Sequence, residues 1–174
     1  VQAFDAKVIY HNRVRLSEQE ESRLNVTYCT LDELIERADV LSLHLPLTPQ
    51  TRSLICAAKI SKMKSDAIII NTARGELIVE DDLIEALRCG RIMGAGLDVF
   101  AGEPISVNNA LLALDNVVLT PHIGGAVLDN VRNMAAHCFD NMTRFVSGEP
   151  LSACDVIVER DNILKKALHP LERG

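Results

Sequence analysis

The chain has 174 residues, 48% hydrophobic and 24% charged, an ordinary balance for a soluble protein and enough for one domain with a sizeable core. A formal net charge of −6 argues against nucleic-acid binding, because phosphate contacts need a basic face. No run approaches the roughly 18 apolar residues of a membrane span, and five scattered cysteines with no CxxC pair point to reduced thiols in a cytoplasmic protein.

Val1-Gln2-Ala3-Phe4 reads as the tail of a helix, and Lys7–Tyr10 as a short strand. Ser17 with Glu20, and Thr30 with Glu33, are capping boxes that should open two helices. Glu18-Gln19-Glu20-Glu21 reads as a solvated face of the first, and Leu31, Leu34, Ile35 and Ala38 as the apolar stripe of the second. Val26–Tyr28 lies between them as a strand. Val40–Leu45 is the next strand, stopped by Pro46. Ala57–Met63 reads as a short helix, and Asp66–Ile70 as a β-branched strand buried on both faces.

Val79–Arg88 is expected to be a helix with Leu83, Ile84 and Leu87 inward, ended by Cys89-Gly90. Met93–Val99 is a strand whose Gly94 and Gly96 admit a close neighbouring backbone. Val117–Leu119 is the last strand, and one long helix runs from Gly124 to about Val146. A charged tail from Glu159 to Gly174 reads as a loosely attached helix. Strands alternating with helices predict an α/β fold with a doubly wound parallel sheet.

Three of these strands end in short polar motifs: Asn71-Thr72-Ala73-Arg74-Gly75-Glu76, Leu97–Pro104, and Thr120-Pro121-His122-Ile123-Gly124-Gly125. Arg74, Glu103 and His122 would meet at the carboxyl edge of the sheet, where ligands of open α/β sheets bind. A guanidinium grips a carboxylate through two oxygens. An imidazole moves a proton near neutral pH, and a carboxylate bonded to it fixes its orientation. His137 reads as a packing or surface residue, and His11 and His169 as surface residues. No histidine–carboxylate pair has metal-ligand spacing, so no metal is expected.

These motifs, together with Leu43-His44-Leu45-Pro46-Leu47-Thr48, resemble in order and approximate spacing the D-isomer-specific 2-hydroxyacid dehydrogenases. That family includes glyoxylate/hydroxypyruvate reductases and 3-phosphoglycerate dehydrogenases. The likeness runs from about Val1 to Ile157 and covers the family's carboxyl-terminal half. It implies an oxidoreductase that moves a hydride between NAD(P)H and a small 2-oxo acid, giving a D-2-hydroxy acid. His122 would be the acid/base, Glu103 its orienting partner and Arg74 the carboxylate clamp.

The resemblance also implies cofactor contacts from Leu45, Pro46, Thr51, Thr72, Ala73, Arg74, Asp98, His122, Gly124 and Gly125. Near the end of the second Rossmann strand an acid favours NAD, and Arg accommodates the 2′-phosphate of NADP. Here Tyr10-His11-Asn12-Arg13-Val14-Arg15 holds no acid, so Asn12 and Arg13 are expected cofactor contacts and NADP is preferred over NAD. No GxGxxG turn precedes Lys7. The expected fold is therefore an incomplete Rossmann-type sheet lacking the first strand and glycine-rich loop. Residues 1–147 would form a partial dinucleotide-binding domain, and 148–174 a tail returning to a substrate domain. Without its central strand the sheet should split, leaving Val40–Leu45 with an unpaired edge. A fragment of a homodimeric enzyme is expected; the alternatives are a non-catalytic truncated remnant and a nucleotide-sensing binding protein of the same fold.

Overall fold

The computed structural model describes residues 1–125 and 127–156. Contacts divide the chain into two units, one spanning Val1–Gly124 and one that begins at Gly125.

In the first unit β1 (Val8–Tyr10) pairs in parallel with β2 (Val26–Tyr28), and the two form a separate ribbon. Between them runs α1 (Glu18–Leu24), opened by the Ser17–Glu20 capping box and closed at Asn25 in the left-handed region. The Thr30–Glu33 box opens α2 (Leu31–Arg37) in the same way, and Ile35 carries its stripe fully into the core. Glu18, Gln19 and Glu20 are exposed, as a solvated face requires, with Glu20 also closing the cap. Glu21 departs from that expectation. Its carboxylate accepts from the Tyr10 hydroxyl and from two nitrogens of Arg15, each at 2.8 Å. His11 likewise is half-buried: its Nδ1 lies 3.1 Å from the Cys29 carbonyl and its ring leans on Tyr28.

The second sheet has the order β3 (Val40–Leu43), β4 (Ile68–Asn71), β5 (Gly94–Leu97), β6 (Val117–Leu119), all parallel. Among the described residues β3 pairs on one side only, so the expected split and the unpaired edge are both present. Strand alternation sends Leu41, Leu43 and Ile69 to one face. There they join Ile60 of α3 (Ala57–Ile60) and Leu83 and Leu87 of α4 (Glu80–Arg88) in a single core. Ile69 is fully buried, whereas Ile68 and Ile70 are only half-buried. The expectation of burial on both faces is thus corrected. Within Val1–Gly124, α3 and α4 pack the Ile69 face, while the opposite face carries the exposed Val40 and Val118.

A close approach at Gly94 is real: a Cβ there would sit 2.8 Å from the Asn116 carbonyl. Arg91 closes the base of the sheet by donating to the Ser61 and Met63 carbonyls. Short 3-10 turns at Gln2–Phe4, Gly75–Leu77 and Ala110–Ala113 were not legible as such in the sequence.

The second unit contains α5 (Leu128–Ser147), which starts later than expected and ends at Gly148 with φ 73°. Gly148 and Glu149 return their N–H groups to the last turn, the geometry that only glycine adopts without strain. His137 is a surface residue whose Nε2 lies 2.9 Å from Asp155. The tail expected from Glu159 onward, with His169, lies outside the described residues.

Candidate functional site

Strand register sets the site. Leu43, Asn71, Leu97 and Leu119 lie in one row across the sheet at successive carboxyl ends. Neighbouring strands are about 4.8 Å apart, so the loops that follow are brought together.

After β4, Asn71 turns inward and is almost wholly buried. Its Oδ1 accepts from the Ala73 amide at 3.1 Å and its Nδ2 donates to the Arg74 carbonyl at 2.9 Å. One amide side chain thus bends Thr72-Ala73-Arg74 outward, leaving Thr72 and the Arg74 side chain exposed.

After β5 comes Asp98, 6% exposed, whose carboxylate organises the loop beyond β6. Its Oδ1 accepts from the Thr120 hydroxyl at 2.5 Å and the Ile123 amide at 3.0 Å; Oδ2 accepts from the Gly124 amide at 2.9 Å. Successive amides converging on an anion form a nest. This nest holds His122 at φ 55°, an uncommon conformation for a side-chain-bearing residue. A Cβ on Gly124 would lie 2.9 Å from Oδ2, so a side chain there would displace the Asp98 carboxylate. The three donors hold the Asp98 carboxyl below its ordinary range, the Thr120 hydroxyl contributing most.

His122 and Glu103 meet, Nδ1 to Oε2, at 2.7 Å. Glu103 also accepts from the Phe100 amide at 3.1 Å through Oε1. Its carboxyl is held below the ordinary glutamate value first by the His122 bond, then by the Phe100 amide, with the Arg74 charge adding in the same direction. An ionised Glu103 requires Nδ1 to carry a proton, which leaves Nε2 as the exchanging nitrogen. The structure therefore joins His122 to Glu103 by a hydrogen bond, and the charge of Arg74 acts on the same carboxylate.

The remaining expected contacts lie in three separate places: the turn after β3, the end of β1 on the separate ribbon, and the start of the second unit. Leu45 packs against the core and Pro46 is exposed. The Thr51 hydroxyl donates to the Pro46 carbonyl at 2.7 Å and accepts from the Thr48 amide at 2.8 Å, fixing that turn. At the end of β1, Asn12 Oδ1 accepts from the Arg13 amide at 2.9 Å. The Arg13 side chain is exposed and has no ion-pair partner among the described residues. Arg15, the second arginine of that stretch, is committed to Glu21 and lies over the Tyr28 ring. Gly125, in the second unit, accepts at its carbonyl from Asn130 Nδ2.

Sequence reasoning assigned no role to Asn71, Glu80 or Asn109. Glu80 had one available signal, an acid opening the helix that directly follows the Arg74 turn. Among the described residues no group of three or more His, Cys, Asp or Glu side chains is placed to hold a metal ion.

A parallel sheet whose carboxyl edge gathers an exposed cation, an imidazole–carboxylate pair and a buried aspartate defines a nucleotide-binding α/β domain of dehydrogenase type. The chain belongs to the D-isomer specific 2-hydroxyacid dehydrogenase family: the family's NAD binding domain matches residues 1–124. Glyoxylate/hydroxypyruvate reductase B of Salmonella newport (strain SL254) is 45% identical over 151 residues, which is 87% of this chain and 46% of that protein. The crystal structure of a glyoxylate reductase from Paecilomyes thermophila superposes with a TM-score of 0.77 at 38% identity, covering 87% of this chain and 45% of that one. A D-lactate dehydrogenase with NAD+ from Lactobacillus jensenii gives 0.78 at 35% identity, covering 86% and 48%. The chain spans about half the length of the relatives it matches.

Proposed function

We propose that the chain supplies the cofactor-binding half of an oxidoreductase that reduces a small 2-oxo acid, such as glyoxylate or hydroxypyruvate, to a D-2-hydroxy acid. The observation that carries this reading is the 2.7 Å pair of His122 Nδ1 and Glu103 Oε2 beside the exposed Arg74. NAD(P)H, when bound, supplies the hydride. Arg74 binds the substrate carboxylate through its planar fork. His122, protonated at Nε2, donates that proton to the carbonyl oxygen as its charge develops. Glu103 stays ionised and keeps the imidazole oriented; in the reverse direction neutral His122 takes the hydroxyl proton.

The cofactor contacts belong to the same reading. Asp98 Oδ2 accepts one protein bond, so it retains capacity for the carboxamide of a nicotinamide. Thr72, Ala73 and Arg74 would line its ribose; Gly124 and Gly125 would lie over the ring. Leu45, Pro46 and Thr51 would follow the adenosine and pyrophosphate portion. Arg13, without an ion-pair partner among the described residues and with its backbone fixed by Asn12, favours NADP. Arg15 adds nothing to that preference, because Glu21 holds it.

The division into 1–147 and 148–174 and a homodimer for the whole protein follow from the family resemblance. A cytoplasmic location is supported by the free cysteines at positions 29, 56, 89, 138 and 154. No helix among the described residues is long and apolar enough to cross a membrane. The test is NADPH oxidation with glyoxylate and hydroxypyruvate as acceptors, for this chain and for a form extended to the relatives' length. His122→Ala should lower kcat/KM by about 10²–10⁴-fold; an unchanged value removes the assignment.

A further inference from the structure

Glu103 sits in a loop that the core hardly touches. From Ala101 to Pro104 every residue is exposed, as are Ser106, Val107 and Asn108. Ile105, half-buried, packs against the core, but Glu103 itself has no packing to hold it within hydrogen-bonding reach of an imidazole in the loop after β6. Yet both ends of the loop meet one side chain. Glu80, in the first turn of α4, accepts from Asn109 Nδ2 at 2.8 Å through Oε1 and from the Ala101 amide at 3.4 Å through Oε2.

Asn109 is itself fixed. Its Oδ1 accepts from the Leu111 amide at 2.9 Å, capping the turn Ala110–Ala113, whose Leu111 is buried. The near end is equally constrained, since Phe100 is buried and its amide donates to Glu103. Glu80 also lines the small void behind the Arg74 turn, together with Asn71, Gly75, Leu97 and Val99. It lies half-buried at the amino end of a helix, where a carboxylate is favoured.

We propose that Glu80 is a positioning residue for the Glu103–His122 pair, acting with Asn109 as a clasp that closes the Ala101–Asn109 loop. The proposal rests on the catalytic reading above for its importance, but the clasp itself is testable without turnover. Holding both loop ends on one rigid helix start removes the freedom by which Glu103 would leave the imidazole. A carboxylate is suited to this task because it offers two acceptor oxygens, one for each end. Glutamine keeps a single acceptor and turns an NH₂ toward the other donor.

The experiment uses the 174-residue chain and three variants: Glu80→Ala, Glu80→Gln and Asn109→Ala. The Glu103 carboxyl is titrated by side-chain carbon NMR, and the amide exchange of Phe100, Ala101 and Ile69 is followed. In Glu80→Ala the Glu103 titration should move up toward the ordinary glutamate value, and the Phe100 and Ala101 amides should exchange about tenfold faster. Ile69 exchange should be unchanged, and Glu80→Gln should recover part of the shift. Asn109→Ala severs one end only and gives the same direction with a smaller amplitude; it decides the matter if Glu80→Ala does not fold. A Glu103 titration unmoved in every variant that folds overturns the proposal, as does equal acceleration at Ile69. A clasp that responds as described in a chain extended to its relatives' length that still reduces no 2-oxo acid leaves the clasp standing and removes the catalytic reading instead.

Discussion

The α-carbon of Gly75 lies against the carbonyl of Phe100 so closely that a side-chain carbon at position 75 would overlap the Phe100–Ala101 peptide. The turn that presents Arg74 and the loop that presents Glu103 are therefore seated on each other backbone to backbone. Gly75→Ala must push them apart, as an overpacked core does. We expect a loss of about 1–3 kcal/mol in urea unfolding. The Glu103 titration should also rise, because the Phe100 amide moves with the displaced peptide. A variant as stable as the parent would show that the two loops are not in register.

Glu103 gives the pair a defined pH dependence. Its folded-state value lies below the ordinary 4.5, mainly because of the bond from His122. A depressed carboxyl contributes stability that is present above the unfolded value and lost as pH falls through the folded one. Thermal melts should therefore show a downward step on acidification that Glu103→Gln abolishes. The check is the difference between the two melting curves across that interval, which should vanish in acid.

Glu21 should behave in the same sense but further into acid, since Arg15 and Tyr10 together bring it down to about 2. The chain has two tyrosines and no tryptophan, and Tyr10 and Tyr28 form an edge-to-face pair 5.6 Å apart. Near-ultraviolet circular dichroism from tyrosine therefore reports on this corner alone. Glu21→Gln is expected to reduce that signal near neutral pH while the far-ultraviolet helical signal persists.

If Arg13 reads the 2′-phosphate, Arg13→Ala should weaken NADPH binding by about 1–3 kcal/mol, the usual cost of a lost charge-assisted bond. NADH binding should be almost unaffected. Arg15→Ala should not discriminate between the two cofactors, and should instead reduce stability through Glu21. Fluorescence titration with both nucleotides distinguishes the arginines.

Much of this was legible in the sequence where the signal is local. The capping boxes at Ser17 and Thr30 form as written, because each is settled by side chains three residues apart. Arg74, Glu103 and His122 were legible because each follows a β-rich run, and the row of strand ends does the rest. Three of the missed features depend on contacts between separate elements. Glu80 reads as an ordinary acid at a helix start until the Ala101–Asn109 loop is folded over it. Glu21 reads as surface charge until Arg15 and the Tyr10 hydroxyl arrive from another element. Asp98 was expected to face a ligand; its engagement with the Thr120 hydroxyl and the amides of Ile123 and Gly124 emerges only when β5 and β6 lie side by side.

The separation of the β1–β2 ribbon from the four-stranded sheet has a consequence for how such a protein changes over time. Arg13 and its surroundings are built on the ribbon, beside a polar and aromatic cluster of Tyr10, Tyr28, Arg15 and Glu21. Arg74, Glu103 and His122 are built on the other sheet and share no hydrogen bond with that cluster among the described residues. If Arg13 reads the nucleotide as proposed, substitutions can accumulate in the ribbon and alter which nucleotide is preferred while leaving the Glu103–His122 pair undisturbed. Cofactor preference and acid–base chemistry would then be free to evolve as separate traits.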